Sequence, residues 1–302
     1  MASSPWNFCF EAISCTFPHM QITPLTGALG AEIQGIDLKS LDSETSRQIE
    51  HAFAEYLVLV FRDQDLTPAD LMTLTHHFGG PGETPYLEGL PDYPDVVPVI
   101  KEAKEKSQHS FGAGWHTDFT FQEHPPARTL LYAVDTPPTG GDTLYANQYD
   151  AYDALSEGMK SSLDGLMAIH SAVRSYGPKA TLKDHMEHMT ITNDAKEPQT
   201  RLHPVVRRHP VTDKPALWVN PTYTIRFKDM TEEESNTLLH YLNALIISPS
   251  HTCRVKWRPG TLTMWDNRCT QHCATSDYRG HRREMWRTTT AGEIPSAYTK
   301  DC

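Results

Sequence analysis

Two short segments carry side chains that could bind a metal ion together. Residues 115–118 read Trp-His-Thr-Asp, and His272 lies far downstream. In an extended strand, residues two apart point to the same side, so His116 and Asp118 can reach one ion. With His272 they form a set of two imidazoles and one carboxylate that leaves three octahedral positions open. Such a set is typical of non-haem Fe(II) oxygenases.

Two arginines follow His272 on a predicted strand, residues 282–289. Arg283 and Arg287 share one face of that strand, at a separation of about 13 Å along it. Arginines on a face beside a metal site are unfavourable unless each meets an anion or water. Taken alone, the pair is more typical of a solvated face on which surface carboxylates bind the arginines.

The elements that position these residues are mostly short strands. Helices are predicted to begin at Thr67-Pro68 and at Thr231, which forms a capping box with Glu234. Leu155, Met159, Leu163 and Leu166 recur at helical spacing and are predicted to face the core. Many short strands with few helices favour a mainly β fold with flanking helices, a sandwich or a jelly roll. Apolar runs predict strands at residues 57–61, 96–100, 130–134, 216–220, 252–257 and 261–265.

Composition narrows the class of protein. The 302 residues include 27 Lys plus Arg and 38 Asp plus Glu, an acidic balance that argues against a general nucleic-acid binder. No apolar run approaches the roughly 18 residues of a membrane span. Residues 1–18 lack the features of a secretory signal and are interpreted as an extension before one domain, residues 19–302. Six cysteines show no disulfide pattern, so we expect a cytoplasmic protein, with a homo-oligomer left open.

Five segments in order carry a resemblance to a known family. Together they are similar to the taurine / 2,4-dichlorophenoxyacetate family of Fe(II)- and 2-oxoglutarate-dependent dioxygenases. The resemblance runs from about residue 22 to residue 292. The segments are residues 115–121 (WHTDFTF), 140–144 (GGDTL), 203–207 (HPVVR), 265–272 (WDNRCTQH) and 282–287 (RREMWR).

The resemblance implies a double-stranded β-helix, or jelly roll, with Fe(II) at its open end. His116, Asp118 and His272 match the family's metal ligands. Thr143 and Arg283 match the residues that hold the distal carboxylate of the co-substrate 2-oxoglutarate. Arg287 matches a catalytic-site position near the iron that often pairs with an anionic group of the substrate. The implied reaction uses O₂, transforms a small organic substrate, and releases succinate and CO₂.

The chain departs from its taurine-specific relatives where they bind the substrate. Thr84 stands where those relatives carry a sulfonate-binding histidine, and Tyr86 follows in the same segment. Tyr176 and Tyr223 fall where relatives place aromatic pocket walls. We therefore expect a small-molecule substrate with a carboxylate or sulfonate group and a carbon body larger than that of taurine.

Two other functions use the same residues. A zinc-dependent hydrolase could employ the three metal ligands, although it would leave Thr143 and the paired arginines without a role. A non-catalytic jelly-roll binding module is the other alternative, which an intact ligand set disfavours. Residues 101–114 and residues 176–199 are predicted loops, and each is a candidate lid over the site.

Overall fold

The computed structural model describes residues 20–107, 109–192 and 199–299. The predicted extension, residues 1–18, lies outside this part of the chain. The strands are β1 Gln21–Pro24, β2 Ala31–Gln34, β3 Val58–Phe61, β4 Val97–Lys101, β5 Arg128–Asp135, β6 Thr143–Asn147, β7 Met167–Ser171, β8 Thr200–Pro204, β9 Val206–Arg208, β10 Pro215–Leu217, β11 Thr224–Phe227, β12 Thr252–Val255, β13 Leu262–Asp266, β14 Thr270–Ala274 and β15 Arg283–Thr289. The helices are α1 Ser43–Tyr56, α2 Pro68–His77, α3 Gln148–Asp153, α4 Glu157–Leu163, α5 Val173–Tyr176 and α6 Glu232–Ile246, with short 3₁₀ turns at Leu38–Ser40, Leu182–His185 and Pro249–His251.

Two sheets enclose the interior in which the candidate site lies. The larger sheet has the strand order β1-β2-β3-β13-β5-β15-β4, and its neighbours are antiparallel except for the parallel pair β2 and β3. The smaller sheet, β12-β6-β14, faces it. Side chains from both sheets, among them Val60, Leu131 and Met285 from the larger and Tyr145 and Val255 from the smaller, form one apolar cluster. The predicted mainly β jelly roll is confirmed.

The larger sheet is covered on both faces, which explains its uninterrupted apolar runs. In β3, Val58 and Val60 join the cluster between the sheets, whereas Leu59 and Phe61 join a second cluster beneath α1 and α2. Alternate residues of a strand point to opposite faces, so a strand buried on both sides needs apolar residues at every position. Burial on both faces explains the apolar run from which a strand at residues 57–61 was predicted.

The helix starts follow the predicted capping chemistry. The Thr67 side chain accepts from Asp70 N while the Asp70 carboxylate accepts from Thr67 N, and Pro68 occupies the first turn. Thr231 and Glu234 form the same reciprocal arrangement at the start of α6. Pro98 lies in β4, at the edge of the larger sheet, where a missing N–H is tolerated.

Two predicted elements are shorter than expected. The stripe from Leu155 to Leu166 is not one helix. A new helix, α4, begins after Ser156, whose side chain caps it by accepting from Met159 N. Helix α4 ends before Gly165, whose φ of 67° is incompatible with a right-handed helix. Both flanking leucines still contact the core around α4. Of the predicted strand at residues 216–220, only residues 216–217 belong to β10, because Asn220 begins a turn in which it accepts from Tyr223 N and Thr224 N.

The two candidate lids differ in how much of each is described. Residues 102–107 and 109–114 contain no helix or strand, as predicted for a loop. Residues 176–199 include the 3₁₀ turn Leu182–His185, but residues 193–198 lie outside the described chain. No helix among the described residues combines the length and apolar character needed to cross a bilayer.

His203 is predicted to make the fold sensitive to acid. It is buried and donates from Nε2 to Gln122 O at 2.8 Å, and burial lowers the pKa of His203 from 6.5 to about 4. Between those values the unfolded chain binds more protons, so stability falls as the pH falls, by at most about 3 kcal/mol. Urea unfolding of wild type and His203→Gln at about pH 7.5 and about pH 4.5 should show a smaller acid loss in the variant. An unchanged acid loss in His203→Gln, equal to that of the exposed control His76→Gln, would contradict this role.

Candidate metal centre and co-substrate site

His116 and His272 are neighbours through an isolated backbone bridge. His116 N donates to His272 O at 3.0 Å, and His272 N donates to His116 O at 2.8 Å. Residues 116–118 were expected to form a regular strand, and this was wrong. The chain turns immediately after Asp118, where Phe119 has a φ of 45°, because Phe119 O accepts from Gln122 N to close a turn.

The three predicted ligands nevertheless converge. Their ligand atoms all lie within 4.8 Å of one another, and all three residues are buried. Asp118 Oδ1 is 3.6 Å from His116 Nε2 and 3.7 Å from His272 Nε2. One ion placed between these atoms can therefore contact all three.

Neighbouring polar groups orient His116 and Asp118. His116 Nδ1 donates to Gly114 O at 2.7 Å, which leaves the Nε2 lone pair directed at the site. Thr129 Oγ1 donates to Asp118 Oδ2 at 2.6 Å, and Asn267 Nδ2 donates to Thr129 Oγ1 at 2.8 Å. Asp118 is thus held through Oδ2, and Oδ1 faces the two imidazoles.

The protonation states suit a cation. Burial alone would raise the pKa of Asp118, but Arg287, His272 and His116 outweigh it and hold that pKa well below its usual value. Burial lowers the pKa of His272 well below its usual value, which keeps the imidazole neutral. Metal binding requires a carboxylate and unprotonated imidazoles, and the shifts at Asp118 and His272 favour those states.

A second buried cluster does not have this character. His209, Asp266 and Cys269 also lie close together. However, Arg268 already binds both oxygens of Asp266, at 2.8 and 2.6 Å. His209 Nδ1 accepts from backbone N–H groups, so its Nε2 carries the hydrogen and donates to Asp266 at 3.1 Å. No lone pair of His209 remains for a metal, and the cluster fixes the turn that precedes β14.

Arg287 lies directly against the carboxylate ligand. Its Nη2 is 2.8 Å from Asp118 Oδ1, and its guanidinium packs over the Phe119 ring at 4.8 Å. Neither Nη atom forms an aligned hydrogen bond with the described residues, so the short contact is an ion pair without hydrogen-bond geometry. These donors remain available to an anion beside the metal position.

Arg283 is a buried cation without an anionic partner among the described residues. It is only 5% exposed, and its guanidinium lies 5.9 Å from the Trp257 ring centroid and 6.0 Å from that of Tyr278. Its Nε has no hydrogen-bond partner, and burial lowers the pKa of Arg283. A buried guanidinium in this state is suited to a planar carboxylate, which can accept two charge-assisted bonds.

Thr143 completes this part of the site from the smaller sheet. Trp257 Nε1 donates to Thr143 Oγ1 at 3.0 Å, so the hydroxyl hydrogen of Thr143 is left for another acceptor. Thr143 lies on β6, opposite Ala274 of β14, the strand that carries His272. The predicted metal and co-substrate residues are therefore gathered between the two sheets.

A cavity of about 370 Å³ opens beside His116. Tyr176 and Tyr223 form an aromatic wall, and burial raises the pKa of Tyr176 to about 12, so its hydroxyl stays uncharged. Tyr86 stacks on Tyr176 with ring centroids 4.8 Å apart, behind that wall. Thr84 is half-buried in the turn before Tyr86 and does not line the cavity. The other lining residues include His109, Phe111, Arg174, Leu182 and His185.

Several residues of the site were not found from the sequence. Thr129 lies on β5 and Trp257 follows β12, and no local pattern connects either of them to the metal-binding motif. Tyr145 carried a usable signal, because it lies two residues after Thr143 and must share its face of β6.

The comparisons with known proteins agree with this geometry. The sequence profile described as "Taurine catabolism dioxygenase TauD, TfdA family" matches residues 21–289. The chain belongs to the TauD/TfdA family. An alkylsulfatase of Acinetobacter baylyi is 35% identical over 91% of this chain and 86% of its own length. An α-ketoglutarate-dependent sulfate ester dioxygenase of Pseudomonas putida is 32% identical over 94% of this chain and 95% of its own length.

Solved structures show the same relationship. A taurine dioxygenase from Burkholderia xenovorans superposes with a TM-score of 0.78 at 32% identity, covering 93% of each chain. AAD-2 in complex with Mn(II) and N-oxalylglycine gives a TM-score of 0.72 at 28% identity, covering 92% of this chain and 99% of that one. As a TauD/TfdA member, the protein is a dioxygenase that uses Fe(II), 2-oxoglutarate and O₂. The comparisons support this class over a zinc hydrolase or a binding module.

Proposed function

We propose that the protein oxidatively cleaves an organic sulfate ester or sulfonate whose carbon body is larger than that of taurine. The cavity beside His116 is the observation that supports this proposal. Its volume of about 370 Å³ is larger than a two-carbon chain needs, and its aromatic wall offers a surface for a longer carbon chain. The sulfate ester dioxygenase and alkylsulfatase relatives supply the chemical class.

In this proposal His116, Asp118 and His272 hold Fe(II). Arg283 and Thr143 bind the distal carboxylate of 2-oxoglutarate. The bound metal and co-substrate supply O₂ activation, in which 2-oxoglutarate becomes succinate and CO₂ and one oxygen atom enters a C–H bond of the substrate. The protein's own contribution is placement, together with exclusion of water by Phe119, Tyr176 and Tyr223.

Arg287 is proposed to bind an anionic group near the metal. Its Nη donors have no hydrogen-bond partners among the described residues, and the aromatic wall lies on the cavity side of the site. The substrate's sulfate or sulfonate would bind this guanidinium while its carbon chain extends along Tyr176 and Tyr223. Thr84 supplies no second cation here, and Arg174 at the cavity already pairs with Glu232 at 3.1 Å, so the anionic group is proposed to depend on Arg287.

The expected products follow from atom balance. Inserting oxygen at the carbon that bears a sulfate ester oxygen gives a hydroxylated carbon that still carries the sulfate. That product collapses when its C–O(sulfate) bond breaks, giving an aldehyde and hydrogen sulfate. The corresponding sulfonate gives an aldehyde and sulfite.

A substrate panel tests this proposal. Protein purified without oxygen would receive Fe(II), ascorbate and 2-oxoglutarate, then air and one candidate: alkyl sulfates of increasing length, alkylsulfonates, taurine or aryloxyacetates. Succinate and released sulfate or sulfite would be measured. We expect a medium-length alkyl sulfate or sulfonate to give equal amounts of succinate and inorganic product. Taurine or an aryloxyacetate as the best substrate would overturn the proposed substrate class.

Replacing Arg287 by leucine should impair turnover of the substrate while leaving 2-oxoglutarate binding largely intact. We expect coupled product formation to fall by about 10- to 100-fold, because a charge-assisted interaction with the substrate is lost. The 2-oxoglutarate affinity of the anaerobic iron protein should change by less than about threefold. Arg258→Leu, which alters an exposed arginine paired with Asp63, serves as the control. If Arg287→Leu instead weakens 2-oxoglutarate binding as strongly as loss of Arg283, Arg287 belongs to the co-substrate site.

A further inference from the structure

Tyr145 presents a buried hydroxyl that nothing in the proposed site has used. Its side chain has no exposed surface, and Tyr145 Oη forms no aligned hydrogen bond with the described residues, although the Thr143 hydroxyl is adjacent. A buried polar group in this condition is destabilising unless a ligand or water satisfies it. The apolar ring would pack equally well without the oxygen, so the hydroxyl requires its own explanation.

Tyr145 lies between the metal ligands and the residues proposed to bind the co-substrate carboxylate. It lies on β6 opposite His272 of β14; its ring stacks 6.1 Å from the His272 ring and lies tilted at 5.4 Å from the Trp265 ring. Thr143, two residues earlier, shares its face of the strand. Tyr145 therefore stands between the metal ligand His272 and the carboxylate site formed by Thr143 and Arg283.

Neighbouring side chains connect Tyr145 to that carboxylate site. The adjacent Thr143 accepts from Trp257 Nε1 at 3.0 Å, and the Trp257 ring lies 5.9 Å from the Arg283 guanidinium. Burial raises the pKa of Tyr145 well above its usual value and outweighs the opposite effects of the Arg283 charge and the Thr143 hydroxyl. The hydroxyl therefore stays protonated and can donate a hydrogen bond, which a carboxylate accepts.

We propose that the Tyr145 hydroxyl is a third donor to the distal carboxylate of 2-oxoglutarate, beside Arg283 and Thr143. This inference rests on the proposed co-substrate site and adds a residue to it. A carboxylate has two oxygens with about four acceptor positions, so a guanidinium and two hydroxyls can bind together. Tyr145 acts as a binding and positioning residue for the co-substrate.

The test removes only the oxygen atom. Tyr145→Phe and the control Tyr149→Phe would be titrated anaerobically, in the Fe(II)-loaded state, with 2-oxoglutarate and with 2-oxopentanoate, which has the same carbon chain but no distal carboxylate. Tyr149 is a buried tyrosine whose hydroxyl contacts Thr212 at 2.9 Å, and it is not part of the site. Dissociation constants and thermal unfolding without ligand would be measured.

We expect Tyr145→Phe to weaken 2-oxoglutarate binding by about 3- to 15-fold and to leave 2-oxopentanoate binding unchanged. The ligand-free variant should unfold at the same temperature or higher, because an unpaired buried hydroxyl has been removed. Unchanged 2-oxoglutarate binding, or equal weakening for both acids, would overturn the inference. Arg283→Met separates the two proposals: if it too leaves 2-oxoglutarate affinity unchanged, the co-substrate site itself is misplaced.

Discussion

Asp118→Ala should abolish substrate turnover and reduce iron binding by several orders of magnitude. Asp118 is the one anionic member of the ligand set, so its loss removes a coordinate bond and a negative charge together. The change also leaves Arg287 buried without its ion-pair partner at 2.8 Å, which adds repulsion toward a dication. Iron content after anaerobic loading, measured with succinate production, checks both expectations.

The second buried cluster provides a matched control for this prediction. Cys269→Ala changes the cluster of His209, Asp266 and Cys269, which we interpret as structural. That variant should retain the wild-type iron content and dissociation constant. Near wild-type succinate production by Asp118→Ala would remove Asp118 from the ligand set, and loss of iron in Cys269→Ala would make the second cluster the metal site.

Arg283→Met should raise the dissociation constant for 2-oxoglutarate by about 10- to 150-fold, the effect of losing a charge-assisted pair of hydrogen bonds. Methionine keeps an apolar stem against Trp257 and Tyr278, so the fold should tolerate the change. Removing a buried, unpaired cation should also leave thermal stability equal or improved. Anaerobic titration of the iron protein gives the affinity directly.

A 2-oxo acid that lacks the distal carboxylate supplies the control for Arg283→Met. The variant should bind 2-oxopentanoate as wild type does, because that acid lacks the carboxylate that Arg283 is proposed to hold. Thr143→Ala should weaken 2-oxoglutarate less than Arg283→Met, by about 2- to 12-fold, since a single neutral donor is lost. A larger effect at Thr143 than at Arg283 would reverse their assigned importance.

The sequence was informative where the chemistry is local or periodic. The spacing of His116 and Asp118 was sufficient to propose a shared ion, and the period of two along β15 placed Arg283 and Arg287 on one face. Apolar runs located most strands of the larger sheet because those strands are buried on both sides. The cytoplasmic location, the single domain and the homo-oligomer stay predictions.

Features that depend on distant contacts could not be predicted. Thr129 and Asn267 orient Asp118 across more than one strand, and Trp257 orients Thr143 from another part of the chain. The local turn at Phe119 replaced the expected strand, and its positive φ, which local preference disfavours, occurs where the Phe119 ring packs against Arg287 of β15. The cavity itself arises from segments around residues 109–116, 174–185 and 222–223, whose approach no local pattern reveals.

The most direct test of the account is an anaerobic titration of the Fe(II)-loaded protein with 2-oxoglutarate, followed by visible absorbance. Chelation of Fe(II) by a 2-oxo acid produces a charge-transfer band. We expect a band that saturates at one 2-oxoglutarate per bound iron in wild type and is absent in Asp118→Ala. A wild-type protein that binds one Fe(II) but gives no band with saturating 2-oxoglutarate would contradict the proposed site.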